Sequence, residues 1–237
     1  MPDTTAPHSA APGGDAPTPA SLAAADMVDA DHPAVTEFAH RHAIGADDRA
    51  RAVALYYAVR DGFRYDPYCV DLREQGMRAS TVLAQGAGWC VTKAALLSAA
   101  CRAVGIASRL GFADVRNHLS TERMRALMQT DEFVWHGYSE IWLDGAWRKA
   151  TPAFNIELCT RFGLLPLEFD GVDDSIYHPF DSRGQRHMEY LREHGSFDDV
   201  PLQRIRTDFA RYYPAWQIAE GALTDADFDA DVSREPR

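Results

Sequence analysis

ASTVLAQGAGWCVTKAALLSAACRAVGIASRLGFA, residues 79–113, decides how the rest of the chain is read. Ser80 and Thr81 suit the cap of a short helix running through residue 84. Gly86 and Gly88 then mark a turn, because residues without a Cβ adopt backbone conformations closed to others. Cys90 follows where the next helix begins, and Ala94, Leu97, Cys101 and Val104 recur at helical spacing, which predicts one buried face. Gly105 stands at the expected left-handed C-cap, and residues 106–112 read as a strand. A cysteine in the first turn of a helix meets unpaired N–H groups and a partial positive charge, which favour thiolate over thiol. Free cysteine has a pKa of roughly 8.5, and such sites lower it to about 3.5–7.5. The same N–H groups can hold the oxyanion of an acyl intermediate. A cysteine taken alone is most often an ordinary buried residue; the flanking glycines, Trp89 and the helix start point here to a nucleophile.

Gly88-Trp89-Cys90 and, at the helix end, Gly105-Ile106-Ala107-Ser108-Arg109 resemble the core of the transglutaminase-like superfamily, a branch of the papain-like cysteine enzymes. In that family a G-x-C turn opens a helix that closes in G-I-x-x-R. The resemblance runs from about residue 49 to about residue 154, less than half of the chain. Upstream, the helical stretch 50–61 leads into Val59-Arg60-Asp61, then Phe63 and Tyr65, a V-R-D-x-F-x-Y segment similar to the one that precedes the family's nucleophile. Downstream, residues 132–143 alternate as a strand, Asp144-Gly145 is a hairpin turn, and residues 147–151 return as a second strand. His136, Glu140, Asp144-Gly145 and Trp147 match the family's histidine strand, turn and tryptophan in order and spacing.

The resemblance implies an α+β, papain-like/transglutaminase-like fold with the nucleophile helix packed on an antiparallel sheet. It implies Cys90 as nucleophile and His136 as the base that takes and returns the proton. The oxyanion would lie on the Cys90 N–H, aided by Trp89 or Gln85. Trp89 and Trp135 would wall an acyl tunnel, or serve as plain core aromatics. The family's acid, four places after Trp147, is missing: the position holds Thr151. An acid normally fixes the histidine tautomer and stabilises its cation. Four readings stay open: Thr151 orients the ring weakly, Asn155 does so as an amide, Asp170 folds back to replace the acid, or catalysis is lost. The implied reaction is cysteine-dependent hydrolysis or transfer of an amide acyl group, in a bacterial-type domain. The substrate would be a peptide, a protein or a small amide. The competing reading is an inactive domain that binds a peptide or protein.

The remaining sequence sets the surroundings. A net charge of −11 and a pI near 5.2 leave no basic footprint for nucleic acid and no attraction to an anionic membrane surface. Four cysteines without a CxxC pair give neither a zinc pattern nor a disulfide framework. The expectation is a reducing, cytoplasmic compartment, with no metal and no cofactor. Residues 1–27, rich in Ala, Pro, Thr, Asp and Gly, read as a disordered tail rather than a signal peptide. Residues 28–224 read as the domain, with its core at about 49–155 and a C-terminal extension at 156–224; residues 225–237 read as a frayed end. Within the core, residues 115–131 form an insertion with a helical section at 122–128, expected to border the cleft; Asn117 and His118 are its residues with site chemistry. Asp170, Asp173 and Asp174 lack calcium-loop spacing. Residues 187–193 and 201–213 read as helices, the second with a stripe of Leu202, Ile205, Phe209 and Tyr212.

Overall fold

The computed structural model describes residues 15–117, 120–176, 188–215 and 227–234. In chain order these form α1 (Pro33–His42), α2 (Asp48–Gly62), β1 (Arg64–Tyr65), α3 (Glu74–Met77), α4 (Ala79–Gln85), β2 (Ala87–Gly88), α5 (Cys90–Ala103), β3 (Ser108–Asn117), α6 (Glu122–Met128), β4 (Glu132–Leu143), β5 (Ala146–Ala150), α7 (Ile156–Phe162), β6 (Met188–Phe197), α8 (Leu202–Tyr212) and α9 (Phe228–Arg234). Four strands make one antiparallel sheet in the order β5-β4-β3-β6, and β1 pairs in parallel with β2. α5, the helix that opens with Cys90, packs on that sheet, as the α+β papain-like expectation requires.

Each local feature has a cause in the sequence. Asp47 caps α2 by accepting the Ala50 N–H at 2.8 Å. Asp144 and Gly145 both have positive φ, 50° and 81°, the backbone of a tight hairpin turn matched to strand twist. Gly137 of β4 lies against α5: a Cβ there would stand 2.9 Å from the Val91 Cα. That absent side chain lets the first turn of α5 approach the sheet. Ser139 secures the contact two residues on by donating to the Ala94 carbonyl at 2.9 Å.

α5 differs from the one-faced helix that its periodicity predicts. Every residue from Cys90 to Arg102 is buried, because α1, α2 and α4 cover the sides that the sheet does not. Two cations are buried with it. Lys93 donates to the carbonyls of Arg60, Phe63 and Ala153 at 2.9, 2.7 and 2.7 Å. The three acceptors match the three hydrogens of an ammonium. Arg102 ties the helix end to the carbonyls of Ser108, Ala23 and Asp198.

Three sequence expectations are corrected. The predicted helix at 187–193 is strand over its described part: β6 pairs antiparallel with β3, and its ladder overrides the helical propensity of MEYLRE. The tail expected to reach residue 27 is ordered from Asp15 onward, with a 3₁₀ turn at Pro19–Ser21 and Met27 buried; Asp199 accepts the N–H groups of Met27 and Val28. The end expected to fray from 225 carries α9, whose Phe228 and Val232 are buried. In α8 the buried residues are Leu202, Ile205 and Phe209, while Tyr212 is exposed and Tyr213 is buried in its place. Among the described residues no helix is long and apolar enough to cross a membrane. No group of three His, Cys, Asp or Glu among them could hold a metal ion.

Candidate active site

Cys90 and His136, forty-six positions apart in sequence, line one cleft. The elements that bring them there are α5, whose first residue is Cys90, and β4, whose mid-strand residue is His136. The backbone amides of Gly137, the residue after the histidine, and of Val91 and Cys90 itself bear on the cysteine sulfur in the direction that favours thiolate. The Gly137–Val91 approach described above therefore sets the sulfur against the histidine strand. Both side chains keep a little surface, 7% for Cys90 and 6% for His136.

Burial sets the resting protonation. It pushes the Cys90 thiol up to about 11, outweighing the amides directed at the sulfur. The depressed thiol that a helix N-terminus predicts is thus reversed by desolvation. Burial pushes His136 down to about 4. The two values are so far apart that the resting pair is a neutral thiol and a neutral imidazole.

The other predicted residues separate into those at the cleft and those elsewhere. Trp89 lines the cleft, and its indole Nε1 is buried with no hydrogen-bond partner. Gln85 is exposed at the end of α4, parted from Cys90 by the left-handed Gly86 and by β2; it does not reach the sulfur. Trp135 does not line the cleft. It is a core aromatic: its Nε1 donates to Asp208 at 2.7 Å and its ring stacks on His194 at 4.0 Å.

No predicted third residue is seen to hold the histidine. The Thr151 hydroxyl is buried and makes no hydrogen bond, so it does not orient the ring through one. The Thr151 main chain is held instead by Ser175 and the Tyr56 hydroxyl. The Asn155 carbonyl accepts the Tyr65 N–H at 3.0 Å and its amide donates to Glu157, which ties β1 to the start of α7. Asp170 is exposed and caps its own turn by accepting the N–H groups of Val172 and Asp173, so it does not fold back toward His136. Asn117 lines the cleft; His118 lies outside the described residues.

The structure adds groups that sequence reasoning missed. Tyr65 lines the cleft because β1 pairs with β2 immediately before Cys90; Arg64 faces Ala87 and Tyr65 faces Gly88. The F-x-Y segment was the available signal. Met124 and Met128 of α6 also line the cleft, so the insertion does border it, and their i, i+4 spacing was legible. Asp114 gave no local signal. Its Oδ1 accepts the Trp135 N–H at 3.0 Å and lies 2.6 Å from His194 Nε2. It sits where the β3–β4 register shifts, opposite Trp135, which has φ +59°. An aromatic residue in that region is strained by about 1–3 kcal/mol, and it immediately precedes His136.

Residues 37–152 match the family model of the Transglutaminase-like superfamily. Among solved structures, a "putative cysteine protease" from Cytophaga hutchinsonii is similar at 15% identity and a TM-score of 0.43, over 75% of this chain and 53% of that one. A "putative protease" from Parabacteroides distasonis ATCC 8503 is similar at 15% identity and a TM-score of 0.36, over 53% of this chain and 26% of that one. The chain thus spans about half the length of the first and a quarter of the second. No curated protein matches it. The matched segment, just under half of the chain, contains both the helix that opens with Cys90 and the strand that carries His136, and over residues 37–152 the chain is similar to the transglutaminase-like superfamily.

Proposed function

We propose that the protein hydrolyses or transfers the acyl group of an amide through Cys90 and His136. The observation that carries this is that both line one cleft, with Gly137, next to His136, packed against Val91, next to Cys90. Sγ attacks the amide carbonyl carbon while its proton passes to the neutral imidazole. The carbonyl oxygen becomes an oxyanion beside the first-turn N–H groups of α5, with the buried Trp89 Nε1 as a further donor of the right type. As the C–N bond breaks, the imidazolium gives its proton to the leaving amine, and a thioester remains on Cys90. Water then releases an acid, or an amine takes the acyl group. All four cysteines are free thiols.

The experiment is to incubate the protein with an activated ester or anilide and read intact mass. A working site gives an acyl adduct on Cys90, absent in Cys90→Ala, whose decay with added primary amine separates hydrolysis from transfer. No adduct under any condition would remove the reading. The second reading, a binding module, draws on the Thr151 hydroxyl, which makes no hydrogen bond where the family carries an acid. That module would bind its ligand equally well with Cys90 intact or replaced by Ala, and would never acylate.

A further inference from the structure

The cleft at Cys90 does not end at the reacting pair. A second cavity adjoins it, and the two share Tyr65, Pro67, Asn117, Met124, Phe133 and Phe154 as common wall. The second cavity does not include Cys90 or His136; it continues to Phe162, Leu164 and Phe228, at α7 and α9. Together they line one stretch from Cys90 to Phe162 and Phe228, with Met124 of α6 in the shared wall. Among the described residues no Lys, Arg, Asp or Glu lines either cavity. A charged side chain drawn in there would lose its hydration, and the described lining residues offer no opposite charge to replace it, a penalty of several kcal/mol. An apolar chain gains free energy along the whole length. The walls also suit varied apolar shapes. Met124, Met128 and Met188 bring unbranched, polarizable side chains that adapt to what they touch and make favourable contacts with aromatic rings.

We infer that the acyl group delivered to Cys90 is long, uncharged and apolar, with its far end lying against Phe162 and Phe228. This rests on the acyl-transfer reading for its orientation and deepens it by naming the substrate class. The chemistry has two sources, a medium-chain N-acyl group and a peptide with consecutive apolar side chains. A peptide brings amide N–H and C=O groups that must find partners once buried, and an acyl chain brings none.

The experiment uses full-length Cys90→Ala protein, which cannot acylate, so that binding is read apart from chemistry. Decanamide, N-acetyl-Phe-Leu-amide and glutaramide are titrated separately, with tryptophan fluorescence as readout because Trp89 walls the cleft. Decanamide or the apolar dipeptide is expected to bind at least thirty-fold more tightly than glutaramide, and the stronger of the two identifies the source. Met124→Gln is expected to weaken the apolar ligands and Met124→Leu to preserve them. Glutaramide binding as well as the apolar pair, or no binding by any of the three, would overturn the assignment. The ligand panel decides this on unaltered walls even if Met124→Gln fails to fold. Failure of the underlying reading shows elsewhere, as a Cys90 in the unsubstituted protein that forms no acyl adduct while the apolar ligands still bind.

Discussion

At the scale of single residues, desolvation rather than helix position sets the chemistry of the pair. The imidazole of His136 is held down to about 4 in the folded protein against an ordinary 6.5. Between those values an unfolded imidazole takes a proton and the buried one does not. The unfolded chain therefore binds more protons, and stability falls as pH drops from 6.5 toward 4. His136→Leu should remove that part of the loss, read as a smaller change in urea midpoint between pH 7 and pH 4.5. An unchanged dependence would mean that His136 is not the desolvated group. Thr151 gives a second test at this scale. Its hydroxyl is buried and unpaired, so replacing it with a methyl group removes no bond. Thr151→Val should leave acylation of Cys90 unchanged and stability the same or higher, within about 1 kcal/mol. A large loss of rate would restore Thr151 to the site.

At the scale of elements, the strand that carries His136 and the helix that opens with Cys90 are each fixed by contacts a short distance from those two residues. Lys93 binds α5 to the end of α2 and to Ala153 beyond β5. Lys93→Met should leave three buried carbonyls unpaired and cost at least about 3 kcal/mol in urea unfolding. Asp114 holds the Trp135 N–H where the strand register shifts. Asp114→Ala should release the positive-φ conformation of Trp135, move the following His136 and slow acylation of Cys90 by about 10²-fold; near-normal kinetics would show that the ring is placed without it. These two residues also mark the limit of legibility. The start of α5, the Asp144-Gly145 hairpin and the full extent of β4 could be read from the chain, because capping, turn chemistry and alternation are local. The threefold acceptor set of Lys93 could not, since its carbonyls come from positions 60, 63 and 153. The strand β6 was hidden for the same reason: its pairing with β3 is long-range, and most of its side chains face outward without an alternating apolar pattern.

At the scale of the whole molecule, segments outside the matched core complete the cleft and brace it. Phe228 of α9 meets the rings of Tyr65 and Tyr68 at 5.9 and 5.4 Å, and Asp231 accepts from the Tyr68 hydroxyl at 2.9 Å. Phe209 and Tyr213, in and just after α8, line the cleft beside Trp89. Composition marked both chain ends as polar, yet a few apolar residues in each suffice to dock them once a core exists. The family resemblance pointed to Cys90 and His136 and left these walls unread, because they lie beyond residue 155.

The four thiols offer the most direct test of a working nucleophile. By exposure alone Cys69 should react first, since it is half-buried whereas Cys90, Cys101 and Cys159 are buried. Burial and Asp66 push the Cys69 thiol up to about 12, and its sulfur lies 2.8 Å from the Asp66 carbonyl oxygen. Brief treatment with iodoacetamide at pH 7, followed by peptide mapping, ranks them. Cys90 should be alkylated ahead of Cys69, and His136→Ala should abolish that lead. Labelling that follows exposure, with Cys69 first and no effect of His136→Ala, would contradict a Cys90–His136 pair that moves a proton.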